Sequence, residues 1–451
     1  MHDHILPQCS LFDYTDNEDI GDLKRLVLCL EEMPYQHLIA VLDEERKYGR
    51  NDYRNHSMFF ILIAMLLFAQ RIDFSHMRRL LSGNPHLRSL VGLNDEDYRC
   101  MGMSNIPSND AFSHFIDRLD AHIDLLQEMF VSLRDKLYQL LPDFGIRLAG
   151  DGKYLDSFAP NKHSEEAKDN RGERDATYSL KVYYYADDKG EKHSKKETHY
   201  GFRKHTLVDT FTELPVASVL RPANEDERGI MYEMICDLPN HIKDRVSAIS
   251  LDRGYDSIDI ITLIKDIEAL PIVDKRIMKP LDKLTRYKDT DFYYNDKADV
   301  YYYDRDNAIY NEMLAEAEKN GEKYKETASF ILNDCRYYLT SFTGYDKTNN
   351  VLRYHYKDHK VRINIKVNER VFLPVARNTK AFKSEYNERT SVERYHSRLD
   401  QCLGFECHTI RGYKKMNVFS ILGDIVLLSL AIAHIRLGQK NYASVFDFGL
   451  I

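Results

Sequence analysis

The stretch from Ser384 to Leu403, SEYNERTSVERYHSRLDQCL, contains side chains that could bind a metal ion and a phosphate. Wound as one helix, it places four polar residues within about 40° of one line: Tyr386, Arg389, Glu393 and Asp400. The apolar residues fall on the opposite side, where a core would lie: Val392, Tyr395, Leu399, Cys402 and Leu403. An acid with a cation one turn before it is unusual for a solvated face. We therefore predict that this stripe faces a functional site.

Two further acids follow predicted strands. Asp151 ends the strand IRLAG before Gly152, and Asp252 ends VSAISL before a strand-to-helix turn. Groups at the carboxyl ends of strands in α/β sheets point into the functional crevice. Each acid alone is a weak signal, because Asp before Gly is common in turns. Together with Glu393, however, they would supply the three carboxylates that a two-metal phosphoryl-transfer site requires, with Mg²⁺ as the preferred ion.

The elements that must position these acids divide the chain into regions. Residues 1–142 carry apolar residues at three- and four-residue steps and predict a helical domain. Residues 143–275 change to short β-rich runs that alternate with helical segments, which predicts a mixed α/β layer. Residues 276–370 are rich in tyrosine and predict a β-rich insertion, whose tyrosines we assign to sheet core and surface. The α/β pattern then resumes over 371–437.

Composition excludes several classes of protein. The chain has 451 residues, 43% hydrophobic and 30% charged, which is ordinary for a globular protein of two or three domains. Its seven cysteines form no CxxC pair, which favours reduced thiols and a cytoplasmic location, and no signal peptide is evident. The apolar run from Val418 to Ile435 contains Gly423, Asp424 and His434, so we predict a buried core helix and not a membrane span.

Net charge neither favours nor excludes binding to DNA. The chain carries a formal charge of −8, but residues 377–415 contain nine Lys or Arg against five Asp or Glu. Phosphate contacts need a local basic surface and not a basic average. The excess of positive charge surrounds the Glu393 stripe, where such contacts would be needed.

Four segments together carry a family resemblance: GDGKYL, HYGFRKHTLVDTFTELPVASVLRPANEDE, SLDRGYDS and YNERTSVERYHSRLDQ. They resemble the DDE transposases of bacterial insertion sequences, in the group with a β-rich insertion before the catalytic glutamate. The last segment fits the group's signature of Tyr, two residues, Arg, three residues, Glu at Tyr386, Arg389 and Glu393. NPHLRSLVGL and IPSNDAFSHFIDRL resemble its leading domain.

The resemblance implies a ribonuclease H-like catalytic core over 143–275 and 371–437, and an amino-terminal domain that binds DNA ends. It implies that Asp151, Asp252 and Glu393 are the metal-binding catalytic triad, with two Mg²⁺ ions or Mn²⁺ as a substitute. Tyr386 and Arg389 would contact the transposon end. The implied partners are the terminal inverted repeats and target DNA, bound by a homodimer. The implied reaction frees a 3′-hydroxyl and then transfers the strand.

One position departs from the signature. Its last residue is normally Lys, and here it is Asp400. An acid at a phosphate contact would weaken end binding, so we expect Asp400→Lys to strengthen it. Arg398 or Lys383 could supply the missing cation, and we include Arg398 among the predicted DNA contacts. Two alternative functions stay open: a metal-dependent nuclease without strand transfer, and a non-catalytic DNA-binding descendant.

Other candidate groups have simpler explanations. His205 and Asp209 lie four apart on a predicted strand and could line the cleft, or they could be structural. The stretch from His193 to His199 reads as a solvated loop, and His355 with His359 as a strand end. Cys402, Cys407 and His408 lack a fourth zinc ligand, so buried thiols explain them better.

Overall fold

The computed structural model describes residues 20–45, 53–93, 105–159, 173–186, 192–277 and 283–439. These residues form two compact units. The first comprises the described residues of Met1–Gly145, Asp151–Asp226 and Ser391–Ile451. The second comprises those of Ile146–Gly150 and Glu227–Thr390. Cys9 and Cys100 lie outside the described residues, and the five described cysteines are free thiols.

The first unit begins with the predicted helices. Seven of them precede the first strand among the described residues: α1 Lys24–Glu32, α2 Gln36–Glu45, α3 Asn55–Phe68, α4 Phe74–Gly83, α5 Pro85–Leu90, α6 Asn109–Ala121 and α7 Ile123–Leu140. Local sequence sets several of their starts. Asp73, Asn84 and Ser108 each accept a hydrogen bond from a backbone N–H in the first turn of the following helix.

The last described helix of the first unit runs from Tyr413 to Arg436 and carries the apolar run that was predicted to be a core helix. It is long and apolar enough to cross a membrane by length and composition. However, 89% of its most apolar window is buried, and it packs on α1, α3, α6 and α7. This helix is α14, since helices α8 to α13 lie before it in the chain. Its apolar surface is covered by the protein's own core.

The strands of the first unit surround a long strand, β3. They are β1 Arg147–Asp156 from Asp151 onward, β2 Thr177–Ala186, β3 Lys192–Asp209 and β4 Pro215–Pro222. The first half of β3 pairs with β2 and its second half with β4, both antiparallel, while β1 lies beside it. The first half contains His193 to His199, so the prediction of a loop there was wrong. The pairing with β2, which the sequence reading missed, supplies the backbone partners that make it a strand.

In the second unit, two strands pair parallel beside the start of β1. The order is β1, β5 Ala248–Leu251 and β6 Leu270–Val273. The helices are α8 Glu227–Cys236, α9 Asn240–Lys243, α10 Ile258–Asp266, α11 Ala308–Lys319 and α12 Lys380–Asn387. All four residues of β5 are buried, as expected for a central parallel strand. With the antiparallel pairs of the first unit, the chain has the mixed α/β architecture that the sequence predicts.

Residues 285–364 form the strands of the predicted insertion. One sheet has five strands: β7 Thr285–Arg286, β8 Phe292–Tyr294, β9 Val300–Asp304, β10 Phe330–Leu332 and β11 Cys335–Leu339. A second has three: β12 Ser341–Asp346, β13 Val351–Tyr356 and β14 His359–Asn364. Tyr287, Tyr294 and Tyr302 belong to their shared apolar core, which agrees with a packing role for the tyrosines.

The stretch read as one helix from Ser384 to Leu403 is two helices, and that prediction was wrong. The chain forms α12 up to Asn387 and α13 Thr390–Gln401, with a turn between them. In that turn the Arg389 N–H bonds the Tyr386 carbonyl three residues back, and the Thr390 hydroxyl donates to the Asn387 carbonyl at 2.9 Å. These local bonds replace the four-residue ladder. Tyr386 and Arg389 therefore do not share a helix with Glu393.

Candidate active site

The register of the parallel strands defines where two of the predicted acids lie. Gly150 on β1 pairs with Leu251 on β5. Asp252 comes directly after β5, whereas Asp151 lies within β1, which continues beside β3 to Asp156. The prediction that Asp151 ends its strand was therefore wrong, although each acid still follows one member of the paired position. Asp151 and Glu393 belong to the first unit, whereas Asp252, Tyr386 and Arg389 belong to the second.

Asp151 is half-buried, and the backbone beside it is tightly packed. Its Oδ1 accepts the N–H of Gly152 at 2.7 Å. A Cβ at Gly152 would lie 2.4 Å from the Arg203 Nε and 3.0 Å from the His205 Nδ1, so any other residue here would require the buried Arg203 side chain to shift. Arg203 also donates to the Gly152 carbonyl at 3.2 Å. The residue after the proposed catalytic acid therefore positions β1 against β3.

His205 and Asp209 are both buried in the first unit. Burial, reinforced by Arg203 and Arg221, lowers the pKa of His205 to about 3, so this imidazole is neutral at working pH. The Asp209 carboxylate accepts from the Thr212 N–H and hydroxyl, each at 2.7 Å. Asp209 therefore holds the turn after β3, and does not line a cleft.

Glu393 lies in the first turn of α13 and is exposed, while Val392 and Tyr395 beside it are fully buried. The helix is held by a buried polar network. The Tyr395 hydroxyl donates to one Asp424 oxygen at 2.5 Å, and the Lys204 ammonium donates to the other at 2.7 Å. Lys204 and Asp424 have side chains that are 0% and 1% exposed. The sequence reading missed this network. Its only local indication is Asp424, an acid within the apolar run of α14 that needs a partner if it is buried.

Arg398, which was predicted to contact DNA, forms an ion pair within the first unit. Its guanidinium pairs with the Glu213 carboxylate and also donates to the Glu213 carbonyl at 3.1 Å. The side chain is 12% exposed, and burial lowers its pKa to about 10. A DNA contact by Arg398 stays a prediction, but the guanidinium already has a carboxylate partner.

Asp400 also has an internal partner, since the Lys153 ammonium donates to its Oδ2 at 2.5 Å. Burial raises the pKa of the Asp400 carboxyl, and Lys153 opposes that shift. The expectation that Asp400 repels a DNA phosphate stays a prediction, but its carboxylate is already paired with the Lys153 ammonium.

In the second unit, Asp252 caps the single turn that follows β5. Its Oδ1 accepts the Gly254 N–H at 2.8 Å. A Cβ on Gly254 would lie 2.9 Å from that oxygen and 2.7 Å from the Glu227 Oε1, so glycine leaves room for both carboxylates. Asp252 is half-exposed, as a residue that binds a ligand must be.

Tyr386 and Arg389 lie together in the same unit. The Arg389 guanidinium lies over the Tyr386 ring at 5.6 Å, and the ring stacks on Phe382. Burial raises the pKa of the Tyr386 phenol; Arg389 opposes the shift, and Asp274 and Asp252 add to it. The signature Tyr and Arg thus share an electrostatic environment with Asp252.

A neighbouring acid, Asp256, serves a different purpose. Its side chain is fully buried and binds Arg370 at 3.0 and 3.1 Å and Lys275 at 3.3 Å. It lies four positions after Asp252, yet its Oδ2 is bound by these cations inside the protein, and the Arg377 guanidinium lies 3.8 Å from its Oδ1. Within the described residues, no group of three or more His, Cys, Asp or Glu side chains is arranged to hold a metal ion. Cys402 and Cys407 are therefore not part of a metal site among these residues. Cys402 is half-buried and Cys407 is exposed, so the prediction that both thiols are buried was wrong for Cys407.

The geometry defines a class of mixed α/β proteins with one acid within a strand, one directly after the strand that pairs with it in parallel, and a further acid on a later helix. Residues 174–419, more than half of the chain, match the family described as "Transposase DDE domain". The chain belongs to this family of DDE transposases, as the sequence motifs indicate. Asp252 and Glu393 lie within the matched residues, and Asp151 precedes them.

The chain is also similar to the solved structure "Cryo-EM structure of piggyBac transposase synaptic complex with hairpin DNA (SNHP)". The identity is 11% and the TM-score 0.36, over 96% of this chain and 80% of that chain. A search of curated proteins found no match.

Proposed function

We propose that this protein is the transposase of a bacterial insertion sequence, which cuts DNA at the ends of its own element and joins the freed ends to target DNA. Asp151, Asp252 and Glu393 are its catalytic triad. The observation that carries this proposal is the paired register of Gly150 and Leu251, which each precede one of the acids. Membership of the DDE family supports the same reaction.

A ribonuclease H-like core is the architecture we propose for the catalytic domain. The strand order supports this architecture. It is β4, β3, β1 in the first unit and β1, β5, β6 in the second. Within the second unit, residues 147–150 of β1 pair parallel with β5, and within the first unit β3 and β4 pair antiparallel, so both strand directions of a mixed sheet are present. The β-rich segment between β6 and α12 would be the insertion of the group.

The donor chemistry of the triad fits Mg²⁺ or Mn²⁺. All three side chains offer carboxylate oxygens, which hard divalent cations prefer, and none offers sulfur or nitrogen. Two bound ions would lower the pKa of the attacking water and stabilise the leaving oxygen. Asp252 is half-exposed and Glu393 is exposed, so their carboxylates are accessible to such ions.

DNA recognition is assigned to residues outside the triad. Arg389, held against the Tyr386 ring, presents a planar cation suited to phosphate. Because two ends must be brought together, we propose that a dimer acts on the terminal inverted repeats. The helices before Leu140 would contribute end binding. We propose that the protein acts in the cytoplasm.

The test is cleavage of a labelled duplex that carries the DNA flanking the gene, with Mg²⁺, Mn²⁺ or EDTA. Wild type should cut at a defined end only with metal, whereas Asp151→Asn, Asp252→Asn and Glu393→Gln should bind the duplex and not cut. Asp259→Asn, an exposed acid on α10, is the matched control and should cut normally. Normal cutting by Asp252→Asn would refute the triad.

Joining of the cut end to a target plasmid distinguishes transposition from hydrolysis alone. Joined products with the wild type support the transposase. Cutting without joining would identify a nuclease, and end binding without cutting would identify a non-catalytic descendant.

A further inference from the structure

The ion pair between Lys153 and Asp400 joins two elements that carry proposed catalytic acids, both within the first unit. Lys153 lies on β1, two residues after Asp151, and Asp400 lies on α13, seven residues after Glu393. The nitrogen–oxygen distance is 2.5 Å. The two partners are 247 residues apart in sequence, so only the fold brings them together.

Each partner shares a face with its acid. Side chains two apart on a strand point to the same side, so Lys153 lies on the Asp151 face of β1. Gly152 and Tyr154 occupy the other face, since Arg203 contacts both of them. On α13, a step of seven residues returns to within about 20° of the same direction, which puts Asp400 in line with Glu393.

The pair is poorly built as a purely structural bridge. The Asp400 Oδ1 is buried with no hydrogen-bond partner among the described residues, so the carboxylate is only half satisfied. A partly buried charge pair with an oxygen that lacks a partner contributes little to stability, because desolvation offsets the attraction. Lys153 is 18% exposed, and Asp400 is the partner of its ammonium within the described residues. An ammonium has three donors, which leaves two for a ligand.

We propose that Lys153 contacts a DNA phosphate at the transposon end, beside Asp151, and that Asp400 is the residue that positions it. The inference rests on the proposed function of the site. It also accounts for the departure at position 400, because the cation is supplied by β1 and the helix supplies its partner. Asp400→Lys alone should then weaken end binding, contrary to the expectation from sequence, because it places a second cation against Lys153.

The salt dependence of DNA binding tests this directly. Full-length protein would be titrated with the flanking-DNA duplex in Ca²⁺ at several salt concentrations. Lys153→Met should make the slope of log affinity against log salt less steep by about 1, the effect of one lost phosphate contact, and Lys153→Arg should retain it. Asp400→Asn keeps the ammonium, so its slope should stay near that of the wild type while cleavage slows at saturating DNA.

The matched control is Lys265→Met. Lys265 pairs with Glu369 at 2.7 Å and is 20% exposed, closely resembling Lys153, but it lies in the second unit on α10. Its slope should not change. The exchange Lys153→Asp with Asp400→Lys should recover most of the slope lost in Lys153→Met.

Two results would overturn the inference while leaving the proposed function standing: a slope for Lys153→Met equal to that of Lys265→Met, or cleavage by Asp400→Asn at the wild-type rate. Absence of end-specific binding by the wild type would instead overturn both. Thermal melting of each variant identifies any that fails to fold, and Lys153→Arg then decides whether the charge is required.

Discussion

The buried pair of Lys204 and Asp424 should be a main determinant of stability in the unit that carries Glu393. Lys204 donates to Asp424 and also to the carbonyl and hydroxyl of Ser420, at 2.7, 2.9 and 2.8 Å. Asp424 in turn accepts from the Tyr395 and Ser218 hydroxyls, each at 2.5 Å. Removing the carboxylate leaves a fully desolvated ammonium, which we expect to cost about 3–5 kcal/mol of unfolding free energy.

The perturbations are Asp424→Ala, Lys204→Met and the double variant Lys204→Met with Asp424→Leu. Urea unfolding should show a large loss with each single change and recovery of at least half of it in the double variant, since no unpaired charge then stays buried. Cleavage should fall with Asp424→Ala, because Tyr395 anchors the helix two residues from Glu393.

A partly exposed ion pair, Lys265 with Glu369, provides the control for this prediction. Lys265→Met breaks a half-exposed pair and should cost less than about 1 kcal/mol. A loss below about 1 kcal/mol for Asp424→Ala would refute the reasoning. So would a double variant as unstable as the worse single variant.

Three further predictions concern the candidate site. Gly152→Ala should lose cleavage and stability together, because its Cβ would lie 2.4 Å from Arg203; normal activity and melting would contradict this packing. Asp256→Asn should unfold at lower urea concentration, whereas Asp252→Asn should fold normally and not cut DNA; the same melting result for both would contradict their separate roles. Burial lowers the pKa of His205 from 6.5 to about 3, so below about pH 6.5 the unfolded state binds a proton that the folded state does not. The free energy of unfolding should therefore drop by roughly 1.4 kcal/mol per pH unit below about pH 6.5. Replacing it with Gln should reduce that loss between pH 7 and 5 in urea titrations, and an unchanged pH dependence would show that His205 is accessible to protons.

Asp252 and Asp256 show how far a local sequence pattern reaches. Both acids follow β5 within five residues, and both precede a helix or turn. Asp252 was predicted to be catalytic because it comes directly after the strand, and that position can be read from the local sequence. The burial of Asp256 among Arg370 and Lys275 depends on residues up to 114 positions away, and no local pattern predicts it.

The helix that carries Glu393 gives a second example. Its apolar side was predicted correctly at Val392, Tyr395 and Leu399, because periodicity along one helix is a local signal. The turn that separates it from Tyr386 contains neither Gly nor Pro, so no breaker marked it. Arg147 on β1, which pairs with Glu385 and Glu388 on either side of Asn387, is one of the distant residues that fix this turn.

The sequence by itself determined the family, the mixed α/β class, the β-rich segment and the acid that directly follows β5. These follow from short segments, in which side-chain period and turn residues act on neighbours. Tertiary structure alone decided the partners of Lys153, Lys204 and Arg398. Each of these cations binds an acid more than 180 residues away. A charge's role depends on what surrounds it after desolvation, and packing of distant segments determines those surroundings.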